Sequence, residues 1–208
     1  MRDHYHGRAA MRYDAVWRTF SAHMLAPVIP LALASLSDQA LVLDVGCGTG
    51  FLLAALRGHR PDLRLWGTDS SADMLAQAHA RLGEHAHLLP WDVEQPTPLA
   101  LRNAAPFDLI TCTNVIHYLH APTRTIQQLA QMLRPDGRLL LADFTVHGWW
   151  WPLFEGVLHL ADGQHRQTLT PLALAQTLHD AGLSLHTTQS VTAGMLWRGT
   201  VVEGIQCN

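Results

Sequence analysis

Lysine is missing from this chain of 208 residues, so all 14 of its basic residues are arginine. Without a side-chain amine there can be no lysine Schiff base, and no phosphate loop of the kind that ends in Gly-Lys-Ser/Thr. Charge of either sign is sparse, at 15% of residues, and the formal net charge is −3. No basic excess marks a nucleic-acid surface or an anionic membrane, and neither is expected as a partner. Cysteine is nearly absent too. Cys47, Cys112 and Cys207 have no metal-ligand spacing, and any disulfide scheme leaves one of them over, so a reducing, cytoplasmic compartment is expected. The longest apolar stretch, Met24 to Leu36, is interrupted by Pro27 and Pro30 and is too short to cross a bilayer. Met1 to His6 lacks the apolar core of a signal peptide. Apolar residues, in contrast, make up 48%, enough for a well-buried core in a single soluble domain. Histidine is also plentiful, with 14 residues, which raises the question of a metal site or a pH-sensitive one.

From about Ala40 onward, short β-like runs alternate with helical patterns, as in a mostly parallel α/β sheet. Leu41 to Val45, Leu63 to Thr68, His87 to Leu89, Phe107 to Thr113 and Arg138 to Phe144 read as five strands. Helical patterns run from Phe51 to Arg57, from Ser70 through Ala78, from Pro122 to Leu133 and from Pro171 to Ala181. Leu183 to Val191 and Leu196 to Ile205 are close enough in sequence to imply an antiparallel hairpin at the sheet edge. Before residue 40 the pattern is helical with no strand partner, and residues 1–39 are expected as a helical cap over the sheet's open end. Residues 145–170, with Trp149-Trp150-Trp151 and three histidines, read as an aromatic-rich insertion. The whole of 1–208 is expected to be one domain, a monomer or homodimer.

Asp44-Val45-Gly46-Cys47-Gly48-Thr49-Gly50 carries the most information. Glycines directly after a buried strand let backbone approach a ligand closely. Their Gly-x-Gly-x-Gly spacing is not the Gly-x-Gly-x-x-Gly of dinucleotide sites. An acid two residues before the first glycine repels phosphate and suits a ligand with an amino group. Asp69 ends the second strand, where a carboxylate can accept both hydroxyls of a ribose, although many such residues are helix caps. Asp92-Val93 follows the third strand, where a carboxylate and a backbone amide could read an adenine edge. Met74 could pack on that base, or belong to the core.

Together these residues resemble the class I S-adenosylmethionine (SAM)-dependent methyltransferases, in particular the small-molecule branch of ubiquinone and menaquinone biosynthesis. The motifs run in register through Leu41 to Gly50, Gly67-Thr68-Asp69, Asp92-Val93, Phe107 to Leu119 and Leu133 to Phe144. The resemblance implies a Rossmann-like α/β fold, a seven-stranded sheet of order 3-2-1-4-5-7-6 with strand 7 antiparallel and helices on both faces. It also implies SAM as methyl donor and S-adenosylhomocysteine (SAH) as product. Gly46 and Gly48 would border the methionine part, and Asp44 would hold its ammonium through water. Asp69 would take the ribose, Asp92 the adenine amino group and Val93 its ring nitrogen, with Asn114 beside the methionine moiety. Cys47, Gly50, Ser70 and Met74 complete the expected donor set.

Methyl transfer from a sulfonium needs alignment of nucleophile, methyl and sulfur, removal of a proton where the acceptor carries one, and no metal. The His-rich patches Glu84-His85-x-His87 and Asp3-His4-x-His6 read as solvated surface. Asn114-Val115-Ile116-His117-Tyr118-Leu119 resembles the Asn-x-x-His-x-Leu loop of small-molecule methyltransferases, which makes His117 the expected general base or acceptor-orienting group. Asp143, at the end of the fifth strand, could orient His117 or an acceptor, or cap a loop. Tyr13, Trp17, Tyr118 and Trp149 are expected to line an apolar pocket for a small-molecule acceptor; the tryptophans could equally bury the insertion. A SAM-binding protein without methyl transfer would carry the same donor motifs.

Overall fold

A computed structural model describes residues 19, 21–34, 36–148, 151–193 and 197–206. The strand Leu41–Val45 (β1) is buried at every position. Leu41, Leu43 and Val45 enter one apolar cluster and Val42 the other. Period-two alternation into two separate cores is what a strand covered on both faces requires, as parallel strands are. Arg64–Asp69 (β2), Ala86–Pro90 (β3), Phe107–Thr113 (β4) and Leu133–Phe144 (β5) complete the parallel part. Leu183–Ala193 (β6) and Trp197–Gln206 (β7) form a hairpin, with β7 inserted antiparallel between β5 and β6. The order is β3-β2-β1-β4-β5-β7-β6, as the resemblance implies.

Helices Val28–Leu33 (α1), Phe51–His59 (α2) and Ala72–Leu82 (α3) bury Val28, Ala32, Leu52, Leu53, Leu56, Leu75 and Leu82 in the cluster on one face. Leu99–Ala104 (α4), Pro122–Ala130 (α5) and Pro171–Asp180 (α7) bury Leu101, Ile126, Leu129, Leu174 and Leu178 on the other. Trp151–Ala161 (α6) lies in the insertion after β5.

Three differences from the sequence expectation have physical causes. Residues 21–34 of the N-terminal stretch run along a sheet face rather than over its end. Met24, Val28 and Ala32 recur every fourth residue and are fully buried, which gives a helical stripe for the sheet to cover. The Arg138 guanidinium, itself paired with Glu203 at 2.7 Å, donates to the carbonyls of Leu31, Ala32 and Ala34 and so satisfies the free end of α1. The fifth strand begins at Leu133, not Arg138. Leu133 pairs with Phe107 before the Pro135-Asp136-Gly137 turn bulges outward, and α5 therefore stops at Ala130. Helices α4 and α6 have no counterpart in the sequence reading. The first has six residues and one buried side chain, too few for a period. In the second Leu153, Val157 and Leu160 are exposed while Trp151 is buried, so apolar residues occupy both sides and no amphipathic stripe shows.

The chain runs outward from β1 to β3 and then crosses back to β4. The carboxyl ends of β1 and β4 are therefore a topological switch point, where open α/β sheets leave a crevice for ligands.

Candidate active site

The glycine loop lies at that crevice. Gly46, with φ +70°, brings its backbone so close to Val115 that a Cβ would sit 2.2 Å from Val115 Cγ2. Gly46→Ala is expected to destabilise the fold by about 2–3 kcal/mol, the combined order of a left-handed non-glycine residue and an overpacked contact. A thermal midpoint within 1 °C of the parent's, if measured, would show that the loop can move away from Val115. Gly48, with φ +53°, differs in that only Met74 Cε, at 4.0 Å, lies near the place of a Cβ, so its outer side is open.

The end of β2 is tied to this loop. Cys47 N donates to the Thr68 carbonyl at 2.8 Å and Gly48 N to Asp69 Oδ2 at 2.9 Å. Asp69 Oδ1 accepts from Ser71 N at 2.8 Å, and the Ser71 hydroxyl caps α3 by accepting from Met74 N. Asp44 is 1% exposed and accepts from the Thr111 hydroxyl at 2.7 Å. Burial pushes its carboxyl up to about 7; the Thr111 bond opposes this and the nearby charge of Asp69 adds to it. After β3, Asp92 Oδ1 accepts from Glu94 N, and buried Val93 gives its carbonyl to Gln128. Asn114 stands at the end of β4 with φ +56°, its N–H on the Ala142 carbonyl at 2.7 Å. Its Oδ1 is buried with no hydrogen-bond partner among the described residues.

Three residues further on, a 3₁₀ turn over Ile116–Tyr118 carries His117 beside the end of β5. His117 Nδ1 lies 2.8 and 3.0 Å from the two Asp143 oxygens, and its backbone N donates to Oδ2 at 3.1 Å. Phe144 N donates to Oδ1 at 2.8 Å. Both side chains are buried. A carboxylate fixed by two backbone amides makes Nδ1 the protonated nitrogen and leaves Nε2 with its lone pair. No described residue hydrogen-bonds Nε2. The ring packs on Tyr118, centroids 3.9 Å apart, and on Phe144 at 4.4 Å.

Residues 17–188 match the family model described as a methyltransferase domain. The chain belongs to this family of SAM-dependent methyltransferases. It is 33% identical over 182 residues to a malonyl-[acyl-carrier protein] O-methyltransferase of Herminiimonas arsenicoxydans, covering 84% of this chain and 61% of the relative. It is 34% identical over 111 residues to a tRNA U34 carboxymethyltransferase of Pseudoalteromonas translucida, covering 51% of this chain and 33% of the relative. The chain thus spans from a third to about three fifths of the length of these two relatives. A structure of the Haloferax volcanii Trm112 methyltransferase activator in complex with a methyltransferase aligns over 100% of both chains with TM-score 0.81 at 18% identity, a likeness of fold.

In this member of the family Gly46, Gly48, Asp69 and Met74 meet around the loop, with Asn114 next to the Val115 that packs on Gly46. Cys47 does not face the crevice: its amide is bonded to Thr68 and its thiol is buried in the core, where burial pushes its pKa up. The helix cap is Ser71, and Ser70 is half-buried ahead of it. Gly50 caps α2 in a left-handed conformation. Tyr118 turns its hydroxyl to Asp162 at 3.1 Å. Tyr13, Trp17 and Trp149 lie outside the described residues. Among the described residues no group of three or more His, Cys, Asp and Glu is placed to hold a metal ion, and no helix is long and apolar enough to cross a membrane.

Glu155, Asp162 and His165 were not among the expected site residues. His165 Nε2 lies 2.7 Å from Glu155 Oε1, and its ring centroid is 5.7 Å from that of His117. Ten residues separate this pair in sequence and no periodicity links a helix to the loop after it, so only the fold brings them together.

Proposed function

We propose that this domain transfers the methyl group of SAM to a small-molecule acceptor that carries a proton, with His117 as general base. The observation that carries the base assignment is the buried His117–Asp143 pair at the carboxyl ends of β4 and β5, its Nε2 unpartnered among described residues. On this reading Nε2 takes the acceptor's proton as the acceptor's lone pair attacks the methyl carbon and the methyl–sulfur bond breaks, with its electrons returning to sulfur. The imidazolium so formed is stabilised by the Asp143 carboxylate. The donor supplies a methyl already activated by positive sulfur, so the chain's task is alignment and proton removal.

The residues fit that donor. Asn114 Oδ1, unpartnered among the described residues, and the open side of Gly48 leave polar and steric room at one end of the crevice. Asp44 suits the donor's ammonium, Asp69 its ribose hydroxyls, Asp92 its adenine amino group and Val93 N–H the adjacent ring nitrogen. Asp69→Ala is expected to weaken SAM binding by more than about tenfold, since two hydrogen bonds to a carboxylate and the anchor of Gly48 are lost together. Calorimetry with SAM and SAH checks this; an unchanged Kd removes Asp69 from the site. Methyl release from labelled SAM, run across small hydroxylated acceptors and bulk tRNA, tests the acceptor class. Turnover on tRNA alone would replace the small-molecule reading.

A further inference from the structure

The insertion after β5 packs against the turn that carries the base. The chain around His165 grips the turn that carries His117: Arg166 N donates to the His117 carbonyl at 2.9 Å and Gln167 N at 3.3 Å. Gln167 Nε2 donates to the Leu119 carbonyl at 3.2 Å, and Asp162 holds the Tyr118 hydroxyl. His165 is itself fixed in several ways. Its Nε2 meets Glu155 at 2.7 Å and the Thr168 hydroxyl at 3.3 Å, and its backbone N donates to the Asp162 carbonyl at 3.0 Å. Its ring stacks on Phe144, with centroids 5.8 Å apart and planes 20° apart, while Phe144 in turn touches the His117 ring. Glu155 also accepts from Trp151 Nε1 at 2.6 Å. Burial works against its charge, but hydrogen bonds from Thr168, His165 and Trp151 outweigh it and hold the carboxyl below the usual range.

A carboxylate–imidazole pair in this setting is poor glue compared with apolar packing of the same volume. What it provides is direction, because its hydrogen bond sets the ring's orientation. Asp143 holds His117 by its Nδ1 edge, and the tilt of the ring about that bond is set by what packs on its faces, Tyr118 and Phe144. We propose that His165, oriented by Glu155, is a positioning residue for His117: through Phe144, which both rings touch, and through the backbone bonds of Arg166 and Gln167 to the His117 carbonyl, it fixes the tilt of the base. The catalytic meaning of this rests on His117 being the base; the geometric coupling does not.

The test separates the two. Long-range ¹H–¹⁵N spectra of protein labelled at histidine, with SAH added, report the tautomer of each imidazole, and His117→Ala assigns the His117 signals. The parent should show His117 as one tautomer with Nδ1 protonated. His165→Phe, which keeps a ring but loses the Glu155 bond, should shift and broaden the His117 nitrogen signals as the ring re-tilts on Asp143, and Glu155→Gln should move them the same way by less. His165→Gln, which can still donate to Glu155, should restore the parent pattern. On an acceptor the parent turns over, His165→Phe should lower kcat about tenfold, the order expected of a misaligned group, with KM changed less than about twofold. If His117 signals are unchanged in both His165→Phe and Glu155→Gln, the coupling is overturned. If His165→Phe does not fold, Glu155→Gln alone decides. Full turnover by His117→Ala would overturn the base reading, while the His117 nitrogen signals still decide the coupling.

Discussion

Asp143→Asn lowers turnover by about a thousandfold and leaves SAM affinity within about twofold, because the change is confined to the base. The carboxylate accepts hydrogen bonds from His117 Nδ1, His117 N and Phe144 N. An amide has one accepting oxygen for those donors and presents an N–H in place of the other. Where that N–H meets Nδ1, the imidazole keeps its lone pair there and carries its proton on Nε2, the wrong nitrogen for receiving one from an acceptor. Asp143 is 3% exposed, so water cannot substitute for the lost bonds. Two measurements on the same sample decide the matter: methyl transfer from labelled SAM, and SAM affinity by calorimetry. A variant with parental turnover would reduce the pair to a structural contact. A variant that has lost both would place Asp143 in the folding of the crevice rather than in proton transfer.

How much of this could be read from residues alone differs between the two halves of the site. The placement of the glycine loop beside the end of the second strand was legible because its signals are local. Gly46 to Gly50 follow a wholly buried strand, and Asp69 ends the next, so strand alternation alone put both at one edge of the sheet. The sheet order itself came from the family resemblance, since nothing in β6 or β7 says which of them pairs with β5. The direction of the Cys47 side chain was not legible. A residue between two glycines of a loop can face either ligand or core, and Gly67, where a Cβ would come 3.0 Å from its sulfur, shows which side had room. On the acceptor side His117 was marked by its loop and Asp143 by its strand end. Asp143 reads there as able to orient His117, to orient an acceptor or to cap a loop, and only the fold, which brings the two within 2.8 Å across 26 residues, selects among these. Glu155 and His165 were not legible at all, because α6 is apolar on both sides and its one acidic residue looks like a surface position until the fold turns it inward. Local patterns reveal backbone geometry, whereas side-chain partnerships across long separations are products of packing.

Asp44→Asn stabilises the protein without its donor and weakens SAM binding, and both effects depend on pH in a direction fixed by the buried carboxyl. Asp44 keeps its proton up to about pH 7 in the folded chain, against 3.8 for the ordinary group. Between those values the folded state holds a proton that the unfolded state has released, so stability falls as pH rises through that window and the loss is complete above it. At 1.36 kcal/mol for each unit, the full cost is about 4 kcal/mol. Asparagine can still accept from the Thr111 hydroxyl and never ionises, so the variant escapes this cost. Its stability advantage over the parent should widen by about 2 kcal/mol between pH 5.5 and 7.5, read from denaturant unfolding at the two values. SAM carries positive charge and favours ionised Asp44, so parental affinity should rise over the same interval. The asparagine variant should show a flat profile, about tenfold weaker than the parent at pH 7.5. A stability difference that stays constant with pH would mean that Asp44 is already charged in the folded state. A flat parental affinity would mean that the ammonium is held elsewhere. If both move as expected, the chain keeps a costly buried acid beside its glycine loop because the donor's positive charge offsets that cost on binding.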